Sequence, residues 1–212
     1  MQVRAKLAKR AAKLGLALPE AAAGGLEAYF ELLQKWNRSI SLTALPVDDV
    51  TDEAIDRLLV EPALAAGYLP LGDARIMDVG SGGGSPAIPM KLIAPGTSMR
   101  MVESKTRKAA FLREAVRHLG LTNTVVEASR FEELLARPEL HQSADVVTVR
   151  AVRIEQKTMA VLQSFLRPGG FLFLFTSASG RAITPSPQLA LHASHMLLPH
   201  LATRLDVLMK LT

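Results

Sequence analysis

Residues 76–89, Ile-Met-Asp-Val-Gly-Ser-Gly-Gly-Gly-Ser-Pro-Ala-Ile-Pro, set a carboxylate near the end of a short apolar run and follow it with a glycine-rich loop. That combination suits a nucleotide cofactor. Ile76, Met77 and Val79 read as a buried parallel strand, and Gly80, Gly82, Gly83 and Gly84 allow positive φ angles and close approach of backbone to a ligand. Pro86 suits the first turn of a following helix, whose free N–H groups are expected to face an anionic cofactor group, while Pro89 limits the regularity of that turn. Two frames fit the glycines. Gly82-x-Gly84-x-x-Ala87 satisfies a loose dinucleotide fingerprint, with Glu103 roughly 20 residues on as the ribose acid. The other frame, Asp78-x-Gly80-x-Gly82, puts an acid ahead of the glycines, where it suits a cofactor carrying an ammonium group. Glu103 serves either frame, and Asp78 separates them.

The Asp78 frame resembles the first motif of the class I S-adenosylmethionine (SAM) methyltransferases. Leu166-Arg-Pro-Gly-Gly170, feeding the apolar run Phe171-Leu-Phe-Leu-Phe175, resembles the segment that leads into their fifth strand. Taken alone, Pro-Gly-Gly is ordinary turn chemistry; both features in one chain at this separation favour the methyltransferase fold. The resemblance implies an α/β, Rossmann-like class I methyltransferase with a mostly parallel seven-stranded sheet and helices on both faces. A helical extension over residues 1–70 is expected to pack on a catalytic domain over 71–212. It also implies that SAM is held by Asp78, Gly80, Ser81, Gly82, Gly84 and Glu103, the last on both ribose hydroxyls, with Ser129, Arg130, Phe131 and Glu132 along the adenine. Phe131 reads equally well as a core residue. Arg150, after the strand Val146-Val-Thr-Val149, is expected where substrate meets the methyl donor, as a cofactor-contacting and catalytic group that forks onto a phosphate or a guanine edge. The alternative is a salt bridge to Glu103 or Asp145.

The elements that would position these groups follow from periodicity. Leu26, Tyr29, Phe30, Leu33 and Trp36 fall on helical spacing, and Ile55, Leu58, Leu59 and Leu64 suggest another helix ending near Gly67. From residue 75 strands alternate with helices: strands 75–79, 98–103, 123–127, 145–149 and 170–176, and helices 86–94, 105–119, 130–136 and 155–166. That alternation implies right-handed crossovers and a parallel sheet, with ligands at the carboxyl ends of its strands. Beyond residue 180, prolines 185, 187 and 199 interrupt the pattern before a last strand over 205–211, and the tail is a candidate for an antiparallel edge.

The 212 residues, 49% of them apolar, suffice for one domain with a modest extension. With no cysteine, disulfides, thiolate zinc sites and a cysteine nucleophile are excluded. No metal site is expected, since His192 and His195 have no nearby acids. The amino-terminal segment is basic but lacks a signal peptide's apolar core, and no run has the length of a membrane span, so a cytoplasmic protein with no membrane contact is expected. The charge of +5 would assist binding to a polyanion. It is concentrated at Arg4, Lys6, Lys9, Arg10 and Lys13 and again at Lys105, Arg107, Lys108, Arg113 and Arg117, each cluster also readable as a solvated helix face.

The Asp/Asn-Pro-Pro-aromatic run of amine methyltransferases is missing from Thr148-Val-Arg-Ala-Val152, which disfavours exocyclic amines. A ring nitrogen such as guanine N7 offers a lone pair and loses no proton, so positioning and desolvation can supply most of the catalysis. A narrower resemblance rests on Leu33-Gln-Lys-Trp-Asn37, Ser41-Leu-Thr43, Asp78 to Pro89, Glu103-Ser-Lys-Thr-Arg-Lys-Ala-Ala-Phe-Leu112 and Val149-Arg-Ala151. In this order they resemble the GidB (RsmG) family of SAM-dependent N7-guanine methyltransferases of bacterial small-subunit ribosomal RNA. The resemblance implies 16S rRNA or the small ribosomal subunit as partner, Lys105, Arg107, Lys108 and Arg150 as RNA contacts, and a monomer. The chain departs from the family at Ser41, at Arg57-Leu-Leu-Val-Glu-Pro62 (usually Arg-His-x-x-Asp-Ser), at Ser85, Ala87 and Val149, and at Thr176-Ser-Ala-Ser-Gly180, which lacks the usual lysine. A catalytically weak RNA-binding assembly factor and a small-molecule methyltransferase are the other functions open to it.

Overall fold

The computed structural model describes residues 2–150, 154–177 and 186–211. Its centre is a seven-stranded sheet in the order β3-β2-β1-β4-β5-β7-β6. The strands are β1 (Arg75–Val79), β2 (Ser98–Val102), β3 (Thr124–Glu127), β4 (Ala144–Arg150), β5 (Leu166–Ser177), β6 (Leu189–Leu198) and β7 (Thr203–Lys210). β1 to β5 pair in parallel, and β7 runs antiparallel between β5 and β6. Successive residues of a strand point to opposite faces, which divides the core in two. Ile76, Met99, Met101, Val146 and Phe173 face α5 (Ala87–Ile93), α6 (Thr106–His118) and the amino-terminal helices. Met77, Val79, Val147, Val149 and Leu172 face α7 (Gln156–Phe165) and the 3₁₀ turns after β3. Crossovers on opposite faces diverge between β1 and β4, and a crevice opens there at the carboxyl ends of the strands.

The helices α1 (Gln2–Lys13), α2 (Glu20–Asn37), α3 (Asp52–Ile55) and α4 (Glu61–Ala66) bury Leu7, Leu26, Phe30, Ile55 and Ala65 in the same core as Met99 and Phe173. The first 70 residues therefore share one apolar core with the sheet. Between α3 and α4 the helix widens into a π turn, Asp56–Val60. Asp56 in that turn is fully buried, and its carboxylate accepts from Arg10 of α1 and sits 2.7 Å from His200 Nε2. Lys6 donates to the Val50 carbonyl (2.7 Å) and Arg4 pairs with Glu20. The first basic cluster is thus not a uniformly solvated face, because Arg10 anchors α1 to the turn.

Three elements differ from the sequence expectation. Residues 131–136 form a 3₁₀ helix in place of an α-helix, with the Glu133 carboxylate accepting from the Arg130 N–H (3.2 Å). The Pro-Gly-Gly segment lies inside β5 as a bulge: Leu166 pairs with Ala144 and Phe171 with Val146, so the chain makes no turn there. Gly170 suits this bulge, since a Cβ would crowd the carbonyls of Arg167, Asp145 and Ala144 at 3.0–3.2 Å. The tail supplies the antiparallel edge as expected, but with an additional ten-residue strand, β6, and with the last strand beginning at Thr203. Ala151, Gly180 and Pro185 lie outside the described residues.

Candidate functional site

Asp78 is the penultimate residue of β1, beneath the glycine loop, and is 1% exposed. One carboxylate oxygen accepts from the Thr148 hydroxyl at 2.6 Å, a partner supplied by β4 because Asp78 and Thr148 are in register. The other, Oδ2, is buried without a partner among the described residues. Burial pushes the carboxyl up to about 6, against the hydroxyls of Ser81 and Thr148 and the charge of Arg150, which favour ionisation. Above the carboxylate, Gly80, Gly82 and Gly84 take left-handed angles. At Gly84 (φ +88°) a Cβ would also stand 2.5 Å from Ile88 Cδ1 and 3.3 Å from a ring carbon of Tyr29. Tyr29 of α2 donates its hydroxyl to the Gly83 carbonyl (2.6 Å), so the amino-terminal helices hold the loop directly. Tyr29→Phe is expected to cost about 1 kcal/mol in urea denaturation and to lower SAM affinity severalfold by calorimetry. Unchanged affinity would remove Tyr29 from loop positioning.

The start of α5 is not the anion cradle that the sequence suggests. Prolines 86 and 89 bring no N–H, and the Ile88 N–H is used by the Gly84 carbonyl at 2.7 Å. The loop instead turns toward Glu103 at the end of β2. One Glu103 oxygen accepts from the Gly82 N–H (2.9 Å) and the other from the Lys105 N–H (2.7 Å), which fixes the carboxylate while each oxygen keeps acceptor capacity.

Glu103 and Gly80 line two adjoining cavities. The smaller, about 200 Å³, is bounded by Ser129, Arg130, Phe131 and Glu132, and the Ser129 hydroxyl oxygen is buried there without a partner among the described residues. Phe131 both lines this cavity and packs on the core, so its two readings are compatible. The larger, about 490 Å³, lies between the glycine loop and the segment Leu42-Thr-Ala-Leu45, with Arg57, Lys105 and Lys108 on its walls. Asn37 holds that segment by accepting from the N–H groups of Leu42 (2.9 Å) and Thr43 (3.0 Å).

Arg150 also borders the larger cavity, but its guanidinium is committed elsewhere. It pairs with Glu61 of α4, which itself is 1% exposed, and not with Glu103 or Asp145. It also donates to the Arg57 carbonyl (2.7 Å) and the Ser85 hydroxyl (3.0 Å), and its charge lies over the Phe175 ring. Ser85 in turn donates to the Leu58 carbonyl at 3.0 Å. Glu61 and Ser85, both departures from the resembled pattern, thus tie the π turn to the glycine loop through Arg150. The N–H groups expected to fork onto substrate are engaged by the fold in this structure, through Glu61, Ser85 and the Arg57 carbonyl. Arg107 reaches the Ser39 carbonyl (3.4 Å) and stays off the cavity wall, unlike Lys105 and Lys108. Sequence reasoning missed the roles of Tyr29, Thr148 and Glu61, and the only signal for Glu61 was the acid retained four residues after Arg57. No cluster of metal-ligating side chains occurs among the described residues, and none of their helices is long and apolar enough to cross a membrane.

Comparison with known proteins adds an independent line. Residues 23–183 match the GidB family model, rRNA small subunit methyltransferase G. A protein of Xanthomonas axonopodis pv. citri named ribosomal RNA small subunit methyltransferase G is 40% identical over 157 residues, 73% of this chain and 69% of its own length. One of that name from Stenotrophomonas maltophilia is 38% identical over 172 residues, 80% of this chain and 75% of its own. Among solved structures, a SAM dependent methyltransferase from Aquifex aeolicus superimposes with a TM-score of 0.57 at 15% identity, covering 78% of this chain and 96% of that one, which is a likeness of fold.

Proposed function

The chain belongs to the GidB family of rRNA small subunit methyltransferase G proteins, and on that premise we propose that it transfers a methyl group from SAM to N7 of a guanine in 16S ribosomal RNA. The observation that carries the site assignment is the pair of cavities meeting at Gly80 and Glu103, with an unmet buried acceptor, Asp78 Oδ2, under the loop and an unmet hydroxyl, Ser129, in the smaller cavity. These groups fit SAM: an ammonium suits Asp78, a ribose diol suits Glu103, and an adenine edge suits Ser129 beside Phe131 with Arg130 and Glu132 at the rim. Bound there, the cofactor supplies an electrophilic methyl group on a sulfonium.

The chain's own residues orient and desolvate. Leu42, Leu45 and Leu58 give the larger cavity an apolar wall, and Lys105 and Lys108 add positive charge to its lining. Among the described residues lining that cavity, Glu103 is the sole carboxylate and there is no histidine, so that lining offers no free general base. Methylation at a ring nitrogen that carries no proton suits such a site. A-form RNA buries the N7 edge in a deep, narrow groove, so the target guanine lies in a loop or leaves the stack to enter. The reading places the protein in the cytoplasm with its ribosomal substrate, and as a monomer, since one chain supplies the whole site.

The test is incubation of the protein and labelled SAM with small ribosomal subunits from cells lacking the endogenous activity, followed by chemical cleavage at N7-methylguanine. One labelled guanine is expected. No label in the presence of calorimetrically confirmed SAM binding would overturn the reaction in favour of the assembly-factor or small-molecule reading.

A further inference from the structure

We infer that Arg57 is the phosphate-binding residue of the acceptor side, gripping the backbone of the RNA strand that carries the target guanine. This deepens the preceding reading and rests on it. Arg57 lies in the π turn over the end of β4 and lines the larger cavity, where it is half-buried. Its guanidinium makes no hydrogen bond or ion pair among the described residues, although its neighbours are fully paired: Arg10 with Asp56, Arg150 with Glu61. A partly buried cation left without a counter-charge beside a second buried cation is a poor device for stability. It is a good one for an anion that arrives later.

The backbone that carries Arg57 is fixed. Its own carbonyl accepts from Arg150 and the next carbonyl, of Leu58, accepts from Ser85. The side chain therefore projects from a pinned stem, which reduces the entropy lost when its planar fork closes on a phosphate. Lys105, at the N-cap of α6, and Lys108 in its first turn line the same cavity and add charge, but neither offers a planar fork. The cofactor assignments leave Arg57 aside: Asp78 lies near the end of β1 and Glu103 and Ser129 follow β2 and β3, whereas Arg57 sits over β4. This division of labour selects an RNA phosphate over the cofactor's carboxylate as the ligand.

Arg57→Ala and Arg57→Lys would be compared with wild type for SAM binding by calorimetry, for binding of a labelled single-stranded oligoribonucleotide across a salt series, and for methyl transfer to small subunits. For Arg57→Ala we expect SAM affinity within twofold, RNA affinity lower by about tenfold, and a slope of log affinity against log salt shallower by about 0.7, the value for one lost phosphate contact on a single strand. Arg57→Lys should restore the slope and part of the affinity, since it keeps the charge and loses the fork. A purely structural role would leave the slope unchanged, and that result would overturn the inference. A tenfold loss of SAM affinity would overturn it too, by assigning the guanidinium to the cofactor's carboxylate. Wild-type protein that shows the salt behaviour but methylates no subunit would refute the reaction and leave the phosphate contact standing.

Discussion

Asp78→Asn should bind SAM roughly 10- to 100-fold more weakly than wild type, the loss of one charge-assisted hydrogen bond in a buried site, and yet melt at a higher temperature without ligand. Both effects have one cause. Burial raises the carboxyl from 3.8 to about 6, so between those values the native state holds a proton that the unfolded chain releases, and stability falls as pH rises through this window. At pH 7 the ionised group costs the ligand-free fold about 3 kcal/mol, and its neutral isostere removes that cost while still accepting from Thr148. A gain of several degrees in melting temperature follows. A cofactor ammonium reverses the balance by favouring the carboxylate, so wild-type SAM affinity should increase from pH 5 to pH 7, with proton release on binding near pH 6. Calorimetry in buffers of different ionisation enthalpy measures both. Equal affinity of wild type and Asp78→Asn across that range would take the carboxylate out of the cofactor site.

Glu61→Ala should destabilise the protein by about 3–5 kcal/mol, because it leaves the buried Arg150 guanidinium without its counter-charge. Burial already works against the charged form of Arg150, and Glu61 is the main group opposing that effect. The loss extends to function, since Arg150 also holds the Arg57 carbonyl and Ser85, and through them the π turn against the glycine loop. Replacing both partners, Glu61→Leu with Arg150→Met, should restore most of the stability lost by either change alone, because no charge is then stranded. Methyl transfer should stay low in the double variant, as the tie between turn and loop is gone. Urea denaturation of the three variants gives the stabilities. A Glu61→Ala protein within 1 kcal/mol of wild type would show that the pair's charges are solvated and that the turn is held by other contacts.

The central parallel strands β1, β4 and β5 were legible because both their faces are buried. A strand covered on two sides must be apolar along its length, and Ile76–Val79, Val146–Val149 and Phe171–Phe175 are so, apart from Asp78 and Thr148. Those two exceptions face each other across the β1–β4 pairing, so the pattern is broken where the site is built. β6 was not legible for the opposite reason: it is an edge strand with Leu191, His192, Ser194 and Met196 exposed, and prolines flank it. Pro168-Gly-Gly170 was legible as a break in regular structure, but whether it turned the chain or bulged a continuing strand depended on pairing with Ala144 and Val146.

Local chemistry in the chain thus determined the parallel core, the glycine loop, the two acids Asp78 and Glu103 and the likeness to a methyltransferase family, because each depends on residues close together in sequence. Only the tertiary structure decided which cations are free. Glu61 and Arg150 lie 89 positions apart, Arg10 and Asp56 46 apart, and nothing in either segment names its partner. A buried charge must find a counter-charge wherever the fold brings one, and that matching spent Arg150 on the scaffold and left the Arg57 guanidinium facing the cavity.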